Sequence, residues 1–359
     1  MLKGNKGEWS EIYTLLKIIS ETKLFAGDSD LNKIESLIFP IIKILRDESD
    51  GTYSFGYEDD IVIVSGETEQ FRIPIGEFQQ KASDLLSKIN ESRTATFSVP
   101  EIENFINTFN CKTLKAKSSV KSDIRIIIHD QRTGTNPELG FSIKSQLGGA
   151  STLLNAGKTT NFLFEVDELD IDINAISNIN SIDGRSKIKD RIEAIQELGA
   201  KFHFTTTESS TFGNNLTLID SSLPKIISEL LFLFYTSTLS KTLDLTNAIG
   251  EKNPLGFNVE NGHPFYQYKI KRFLTDIALG MMPSKVWTGE LDATGGYLVV
   301  KEDGEVLCYH IYNRNEFEDY LLNNTKFETA SSSRHGFGSL IKVDNLLIFK
   351  LNLQIRFLK

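Results

Sequence analysis

The segments Ser122-Asp-Ile-Arg-Ile-Ile-Ile-His129 and Leu139-Gly-Phe-Ser-Ile-Lys-Ser145 decide the fold of this 359-residue chain. Both are rich in β-branched and aromatic residues, and Gln131-Arg-Thr-Gly-Thr-Asn-Pro137 between them is a turn sequence, so the pattern predicts a β-hairpin. Side chains alternate faces along a strand, which brings Asp123 near Lys144 when the hairpin folds. A carboxylate that can hold a divalent cation beside an ammonium group suits metal-dependent phosphodiester hydrolysis.

Composition places the chain among ordinary globular proteins, with 40% hydrophobic and 24% charged residues. We expect neither export nor a membrane span, because there is no run of about 18 apolar residues and no apolar signal core near Met1. Two cysteines, Cys111 and Cys308, form no disulfide framework and no metal-ligand spacing, which fits the cytoplasm. The formal charge of −9 argues against a non-specific nucleic-acid coat protein but allows a DNA enzyme with a local basic cleft.

The periodicity of apolar residues predicts a mixed α/β (α+β) fold with one continuous core. Helices are expected around residues 9–19, 31–42, 75–89, 100–109, 186–198, 223–239, 266–279 and 316–322. Strands are expected, besides the hairpin, around residues 53–55, 61–64, 71–73, 161–166, 201–207, 215–219, 296–300, 306–312 and 346–357.

The identity of a second metal-binding carboxylate is open at this stage. Ser142 stands two residues before the lysine, where an acid is expected, so the metal site is complete only if another acid arrives from elsewhere. Glu11 on the first helix and Glu165 on a later strand both qualify, although a favourable interaction with the helix dipole is the competing interpretation for Glu11. Glu101 and Glu103 are further alternatives.

Three regions carry residues suited to DNA contact. The basic run that ends at Lys121 directly precedes Asp123 and can meet phosphates. The segment Thr329–Gly338 contains Ser333, Arg334 and His335, and arginine pairs bidentately with guanine. The last predicted strand places Asn352, Gln354 and Arg356 on one polar face. Each region also suits an ordinary exposed surface.

Other catalytic signatures are absent from the sequence. Gly157-Lys158 lacks the earlier glycine of a phosphate-binding loop, because Thr152 occupies that position. The five histidines show no metal-ligand spacing, and no Gly-x-Ser-x-Gly elbow supports serine hydrolase chemistry.

Taken together, these segments resemble type II restriction endonucleases of the HpaII family over nearly the whole chain. The blocks that carry the resemblance are Lys6-Gly-Glu-Trp-Ser-Glu-Ile-Tyr13, Leu139-Gly-Phe-Ser-Ile-Lys-Ser-Gln-Leu-Gly148, Thr152-Leu-Leu-Asn-Ala156, Thr160-Asn-Phe162, Ser331-Ser-Ser-Arg-His335 and Lys350-Leu-Asn-Leu-Gln-Ile-Arg-Phe357. The resemblance implies a PD-(D/E)xK nuclease core, a mixed sheet flanked by helices. It implies a single endonuclease chain over residues 1–359, with the nuclease core in about 1–220 and DNA recognition in about 221–359.

The resemblance also implies a site and its partners. Asp123 fills the metal-binding acid, Lys144 the catalytic lysine and Ser142 the position of the middle acid. Mg²⁺ is the implied cofactor, and Gln146 joins the DNA-contacting candidates. The implied activity is cleavage of double-stranded DNA at a short palindrome such as 5′-CCGG, leaving 5′-phosphate ends. A DNA methyltransferase is the expected genetic partner, and a homodimer is one way to read a palindrome.

Two other functions stay open on the sequence alone. A repair or structure-selective nuclease on the same core would cut DNA without a fixed target sequence. A non-catalytic DNA-binding protein would carry Ser142 as the mark of a decayed site. Metal dependence and a defined cut position separate the three.

Overall fold

The computed structural model describes residues 1–115, 122–131, 133–167 and 172–359. The chain packs as two compact units. Unit 1 contains residues 1–151, 291–320 and 359, and unit 2 contains residues 152–290 and 321–358. The boundary expected near residue 220 falls inside unit 2, and each unit is built from separated stretches of chain.

The described residues form eleven α-helices. They are α1 (Lys6–Glu21), α2 (Ile75–Glu91), α3 (Pro100–Asn107), α4 (Ile173–Ser181), α5 (Lys187–Glu197), α6 (Ser210–Ile219), α7 (Leu223–Thr236), α8 (Thr242–Lys252), α9 (Phe265–Leu279), α10 (Arg314–Asn323) and α11 (Ser332–His335).

Sixteen strands are found in the same residues. They are β1 (Lys23–Gly27), β2 (Lys33–Glu48), β3 (Gly51–Glu58), β4 (Ile61–Ser65), β5 (Gln70–Pro74), β6 (Ile124–Ile128), β7 (Glu138–Ser145), β8 (Thr152–Leu154), β9 (Asn161–Asp167), β10 (Lys201–Thr207), β11 (Gly296–Val300), β12 (Val306–His310), β13 (Thr325–Phe327), β14 (Leu340–Val343), β15 (Leu346–Asn352) and β16 (Ile355–Phe357). The mixed α/β class is confirmed.

Unit 1 is built on a sheet with the strand order β1-β12-β11-β7-β6-β2-β3-β4-β5. An additional pairing joins β1 to β2, so β1, β12, β11, β7, β6 and β2 close into a six-stranded barrel. The pairs β1–β12 and β11–β7 are parallel and the others antiparallel, so the sheet is mixed, as predicted. The sequence did not reveal the closure, which depends on one long strand pairing on both of its sides.

That long strand is β2, and it corrects the helix predicted over residues 31–42. Its first half pairs with β1 and its second half with β6 and β3. Isoleucines at the predicted helical spacing are β-branched and favour strands, and Pro40 disfavours a helix interior. Directly before β2 the chain forms a turn, in which the Asp28 carboxylate accepts hydrogen bonds from the backbone N–H groups of Asp30 and Asn32 at 2.9 and 2.8 Å.

Unit 2 contains two smaller sheets, with the orders β10-β9-β15-β14 and β13-β16-β8. The strand predicted at residues 215–219 is wrong, since these residues end α6, whose N-cap Ser209 accepts a hydrogen bond from the Phe212 N–H. The final predicted strand is in fact two strands, because the chain leaves one sheet after Asn352 and enters the other at Ile355. Short apolar runs fit either helix or strand periodicity, which explains the first error.

Candidate active site

The central hairpin positions the first acid, and its structure confirms the predicted pairing. β6 and β7 are antiparallel, with Ile124 opposite Phe141. One residue before β6, the Asp123 N–H donates to the Phe141 carbonyl at 2.8 Å, and Asp123 Oδ2 accepts from the Ile143 N–H at 2.7 Å. The carboxylate is thus anchored to the backbone between Ser142 and Lys144.

Lys144 lies on β7, the partner strand of β6, and the charge of Asp123 acts on its ammonium group. Burial lowers the pKa of the Lys144 ammonium, and the negative charges of Asp123 and Glu11 oppose that shift. Its Nζ lies 4.9 Å from the ring centroid of Tyr297, which is buried on the adjacent strand β11. Lys144 is therefore a confined, partly desolvated cation facing two carboxylates.

The second carboxylate comes from α1, which begins at a complete capping box. The Glu8 N–H donates to Asn5 Oδ1 at 3.0 Å, and the Asn5 N–H donates to Glu8 Oε2 at 2.9 Å. The helix is held against β7 because Ser145 Oγ donates to the fully buried Ser10 Oγ at 2.8 Å. The residue after Ser10 is Glu11, so this contact brings its carboxylate to the end of the hairpin.

Glu11 is strongly perturbed by its surroundings. Burial and, second, the negative charge of Asp123 raise the pKa of Glu11 to about 7, while the positive charges of Lys115 and Arg46 act in the opposite direction. Burial also raises the pKa of Asp123, against the Ile143 hydrogen bond and the charges of Lys144 and Lys115. Two carboxylates that repel each other in a desolvated site are stabilised by a bound cation.

The shift at Glu11 predicts the pH dependence of stability in EDTA. The folded protein binds a proton at Glu11 more tightly than the unfolded chain does, because the folded pKa is raised from 4.5 to about 7. The stabilisation of the folded state from this proton is complete below pH 4.5 and is lost as the pH rises through about 7. Urea unfolding should show that Glu11→Gln removes part of the fall in unfolding free energy across this window. Identical pH profiles for the two proteins would contradict the shift.

A cleft of about 700 Å³ opens beside these residues within unit 1. Glu11, Ile143 and Ser145 line one side of the cleft, and the cations Lys6 and Arg93 also line it. Within the described ranges, neither cation has an ion-pair partner. The volume of the cleft suits a nucleotide-sized group next to the carboxylates.

The three alternative acids, Glu165, Glu101 and Glu103, are not among the residues that line this cleft. Glu165 lies on β9 in unit 2, opposite His203 and Ile348 in a different sheet from Asp123. Glu103 accepts a hydrogen bond from the Leu2 N–H and pairs with the chain's amino terminus, and Glu101 is exposed. Of the four acids considered from sequence, Glu11 lines the cleft, and the negative charge of Asp123 raises its pKa. Among the described residues no group of three or more His, Cys, Asp or Glu could hold a metal ion.

Ser142 sits next to this pair of acids but offers no charge. Its side chain is 7% exposed, and in the parallel pairing it lies opposite Tyr297. The structure thus brings together Asp123, Ser142, Lys144 and Glu11.

The DNA-contacting candidates are distributed over both units. Ser333 and Arg334 are exposed and His335 is half-buried, and all three lie on the short helix α11 where a loop was expected. Gln354 is half-buried between β15 and β16. Gln146 is half-buried directly after β7, and its N–H donates to the Val300 carbonyl at 2.8 Å. Lys121 lies outside the described residues.

Asn352 is buried, which does not suit the DNA contact expected for it. It is 2% exposed, and its Nδ2 donates to the Gly157 carbonyl at 2.8 Å and to Asn161 Oδ1 at 2.7 Å. Asn161 Nδ2 donates in turn to the His335 carbonyl at 2.9 Å. This network links α11 to β9 and β15, so Asn352 stabilises the position of the helix that carries Arg334 and His335.

We expect Asn352→Ala to lower the free energy of unfolding by about 1–3 kcal/mol, because buried acceptors lose their donor. Gln354→Ala, two residues away and half-buried, should change it by about 0.5 kcal/mol or less. Chemical denaturation of both variants measures the difference. Equal stability of the two variants would show that the amide network contributes little.

The sequence analysis missed two residues that shape the site. Arg46 is 3% exposed on β2, pairs with Glu48 at 2.7 Å and lowers the pKa of Glu11 by its charge. An arginine inside an apolar strand was the available signal. Tyr297, which contacts Lys144, lies in an ordinary apolar strand sequence, and nothing in the sequence signalled its role.

In the part of the chain that the structure describes, no helix is both long and apolar enough to cross a bilayer. The chain belongs to the HpaII restriction endonuclease family, whose model matches residues 5–357. The Type II restriction enzyme HpaII of Haemophilus parainfluenzae is 51% identical over 358 residues, which cover 99% of this chain and 98% of that protein. No solved structure matches the chain.

The protein is therefore a type II restriction endonuclease, a site-specific enzyme whose substrate is double-stranded DNA.

Proposed function

We propose that this enzyme hydrolyses DNA phosphodiester bonds with Mg²⁺ at a short palindrome such as 5′-CCGG and leaves 5′-phosphate ends. One observation carries the proposal, the convergence of Asp123, Glu11 and Lys144 at the end of the β6–β7 hairpin. An acid and a lysine on adjacent strands of a mixed sheet support a PD-(D/E)xK type of core, here extended by the closure of the sheet into a barrel.

The two acids fit Mg²⁺ better than a metal that needs a full protein ligand set. Mg²⁺ typically takes one or two carboxylates and completes its shell with water and substrate phosphate. Among the described residues, Asp123 Oδ1 has no hydrogen-bond partner, and Glu11 has a charge that a cation would stabilise. In this proposal Glu11 supplies the carboxylate that Ser142 lacks, and Ser142 adds only a hydroxyl beside it.

Each residue then has a distinct part in hydrolysis. Bound Mg²⁺ would polarise a phosphoryl oxygen and lower the pKa of a coordinated water. Asp123 and Glu11 would hold that ion. Lys144, with its pKa lowered by burial, orients the attacking water, takes part in its deprotonation and offsets negative charge on the phosphate. In-line attack on phosphorus leaves a 3′-hydroxyl and a 5′-phosphate.

A comparison of two acids tests the metal site. Glu11→Gln should reduce cleavage by about 100-fold or more at fixed Mg²⁺, since even residues that only orient metal ligands cost about 10–100-fold. Glu165→Gln is the matched control and should cleave at the wild-type rate. If the effects of the two substitutions are reversed, the second ligand is Glu165 and the proposed site is wrong.

The proposed base contacts lie on unit 2. Arg334 on α11 is exposed and has no ion-pair partner among the described residues, so its guanidinium is available to a guanine edge. His335 and Gln354 accompany it as base contacts in this proposal, and Ser333, Gln146 and Lys121 are proposed as further DNA contacts.

The target is tested with two duplexes of equal composition, one containing 5′-CCGG and the other 5′-CGCG. Cleavage of the first alone, between mapped nucleotides, supports the proposed target. Methylation of the target should block the cut if a methyltransferase protects the host genome. Equal cutting of both duplexes would favour a structure-selective nuclease.

The oligomeric state on DNA needs a separate measurement. Sedimentation of the protein with bound duplex would show whether a homodimer reads the palindrome.

A further inference from the structure

A second cavity, of about 490 Å³, lies wholly within unit 2. We call it the basic serine pocket. Its walls are residues 184–189 at the start of α5, residues 237–240 after α7 and residues 329–333 leading into α11, with Phe234 and Tyr235 between them. Three cations line the pocket, and no acidic side chain does among the described residues. A cavity with this composition attracts anions.

The three cations are available to a ligand. Arg185 is exposed and has no ion-pair partner in the described part of the chain. Lys187 pairs with Asp183 at 3.1 Å and Lys189 with Glu193 at 3.7 Å, but these carboxylates are 80% and 52% exposed. Exposed pairs of this kind contribute little stability, so an incoming anion can compete for the lysines.

Hydroxyl groups complete the lining. Within the described ranges, the hydroxyls of Ser186, Thr238, Ser240 and Ser332 have no protein hydrogen-bond partner. The back wall is fixed, because the buried Tyr235 hydroxyl donates to the Asn352 carbonyl at 3.1 Å. Arginine, lysine and serine or threonine hydroxyls are the side chains that contact DNA phosphates. The chemistry of the lining therefore favours a phosphate group over an apolar ligand.

We propose that the basic serine pocket binds a backbone phosphate of the substrate DNA and so sets the position of α11 against the bases. The inference rests on the proposed function. Ser332 and Ser333 line the pocket and belong to α11, and the next residue is Arg334. Phosphate contacts fix register and base contacts read sequence, so a phosphate held by Ser333 places Arg334 at a base edge. Ser333 is thereby assigned to the backbone rather than to a base.

The test measures DNA affinity against salt concentration for Arg185→Gln/Lys187→Gln, in EDTA and with full-length protein. The probes are a duplex with the target and a duplex without it. Both duplexes should bind about 10-fold more weakly, and the slope of log affinity against log salt should fall by about 1 or more. Lys225→Gln is the matched control, because this exposed lysine of unit 2 does not line the pocket. Thermal melting checks that the variants fold.

Each outcome decides the proposal. Uniform weakening beyond that of the control supports it. If the double variant binds DNA as tightly as Lys225→Gln does, the pocket proposal is overturned. The proposed function still stands in that case if the wild-type protein cleaves DNA. Weakening of the target duplex alone would assign these residues to base reading instead. Inorganic phosphate titrated into the wild type and the double variant separates the two sources: residue-dependent phosphate binding with unchanged DNA affinity would identify a site for a free anion and overturn the proposal.

Discussion

Lys144→Ala is expected to slow DNA cleavage by about 10²–10⁴-fold, the range that a positioned acid–base group contributes. The Lys144 ammonium is desolvated by burial, is influenced by the charges of Asp123 and Glu11 and lies over the Tyr297 ring, so alanine removes the buried cation beside the two acids. Single-turnover cleavage of a target duplex measures the chemical step. Binding in EDTA should change far less than the rate, because the residue acts on the scissile phosphate.

Lys43→Ala provides the control for that experiment. Lys43 is a half-buried lysine on another strand of the same barrel, and it does not line the cleft. It should keep the wild-type rate. Lys144→Ala with wild-type activity would remove the lysine from the mechanism, whatever its effect on stability.

Asp123→Asn is expected to abolish detectable cleavage at ordinary Mg²⁺ concentrations and to leave the metal-free protein at least as stable as the wild type. Cleavage is lost because the amide carries no charge to hold the cation. Stability is kept because the amide oxygen can still accept the Ile143 N–H, and because burial disfavours the charged form of Asp123.

Loss of cleavage together with unchanged or higher stability distinguishes an acid needed for catalysis from one needed for folding. Cleavage rates and melting temperatures in EDTA should be measured on the same preparations. Asp47→Asn is the control, since Asp47 lies in the same barrel but pairs with Arg125 at 2.6 Å and does not line the cleft. A large fall in melting temperature for Asp123→Asn would assign Asp123 to folding, and retained cleavage would exclude it as a metal ligand.

The hairpin was predictable because its information is local. Alternation along two neighbouring segments fixes which side chains share a face, and a turn sequence fixes their pairing. Asp123 and Lys144 followed from those rules alone. Glu11 could only be one of several candidates, because its position depends on α1 packing on β7 through Ser10 and Ser145, a contact between distant parts of the chain.

The remaining errors have the same origin. The isoleucines of β2 fit a helical period, and only tertiary pairing with β1 and β6 makes the segment a strand. Asn352 fits the polar face of a strand, yet that face is covered in unit 2 and its amide is used internally. Polar alternation identifies a face without saying what covers it.

The measurement that tests the central claim most directly is digestion of unmethylated phage DNA by the purified protein with Mg²⁺, followed by sequencing of every end. We predict discrete fragments whose ends share one short palindrome, carry 5′-phosphates and vanish with EDTA or with Lys144→Ala. Intact DNA under these conditions, or ends scattered without a common sequence, would contradict Mg²⁺-dependent, site-specific cleavage by Asp123, Glu11 and Lys144.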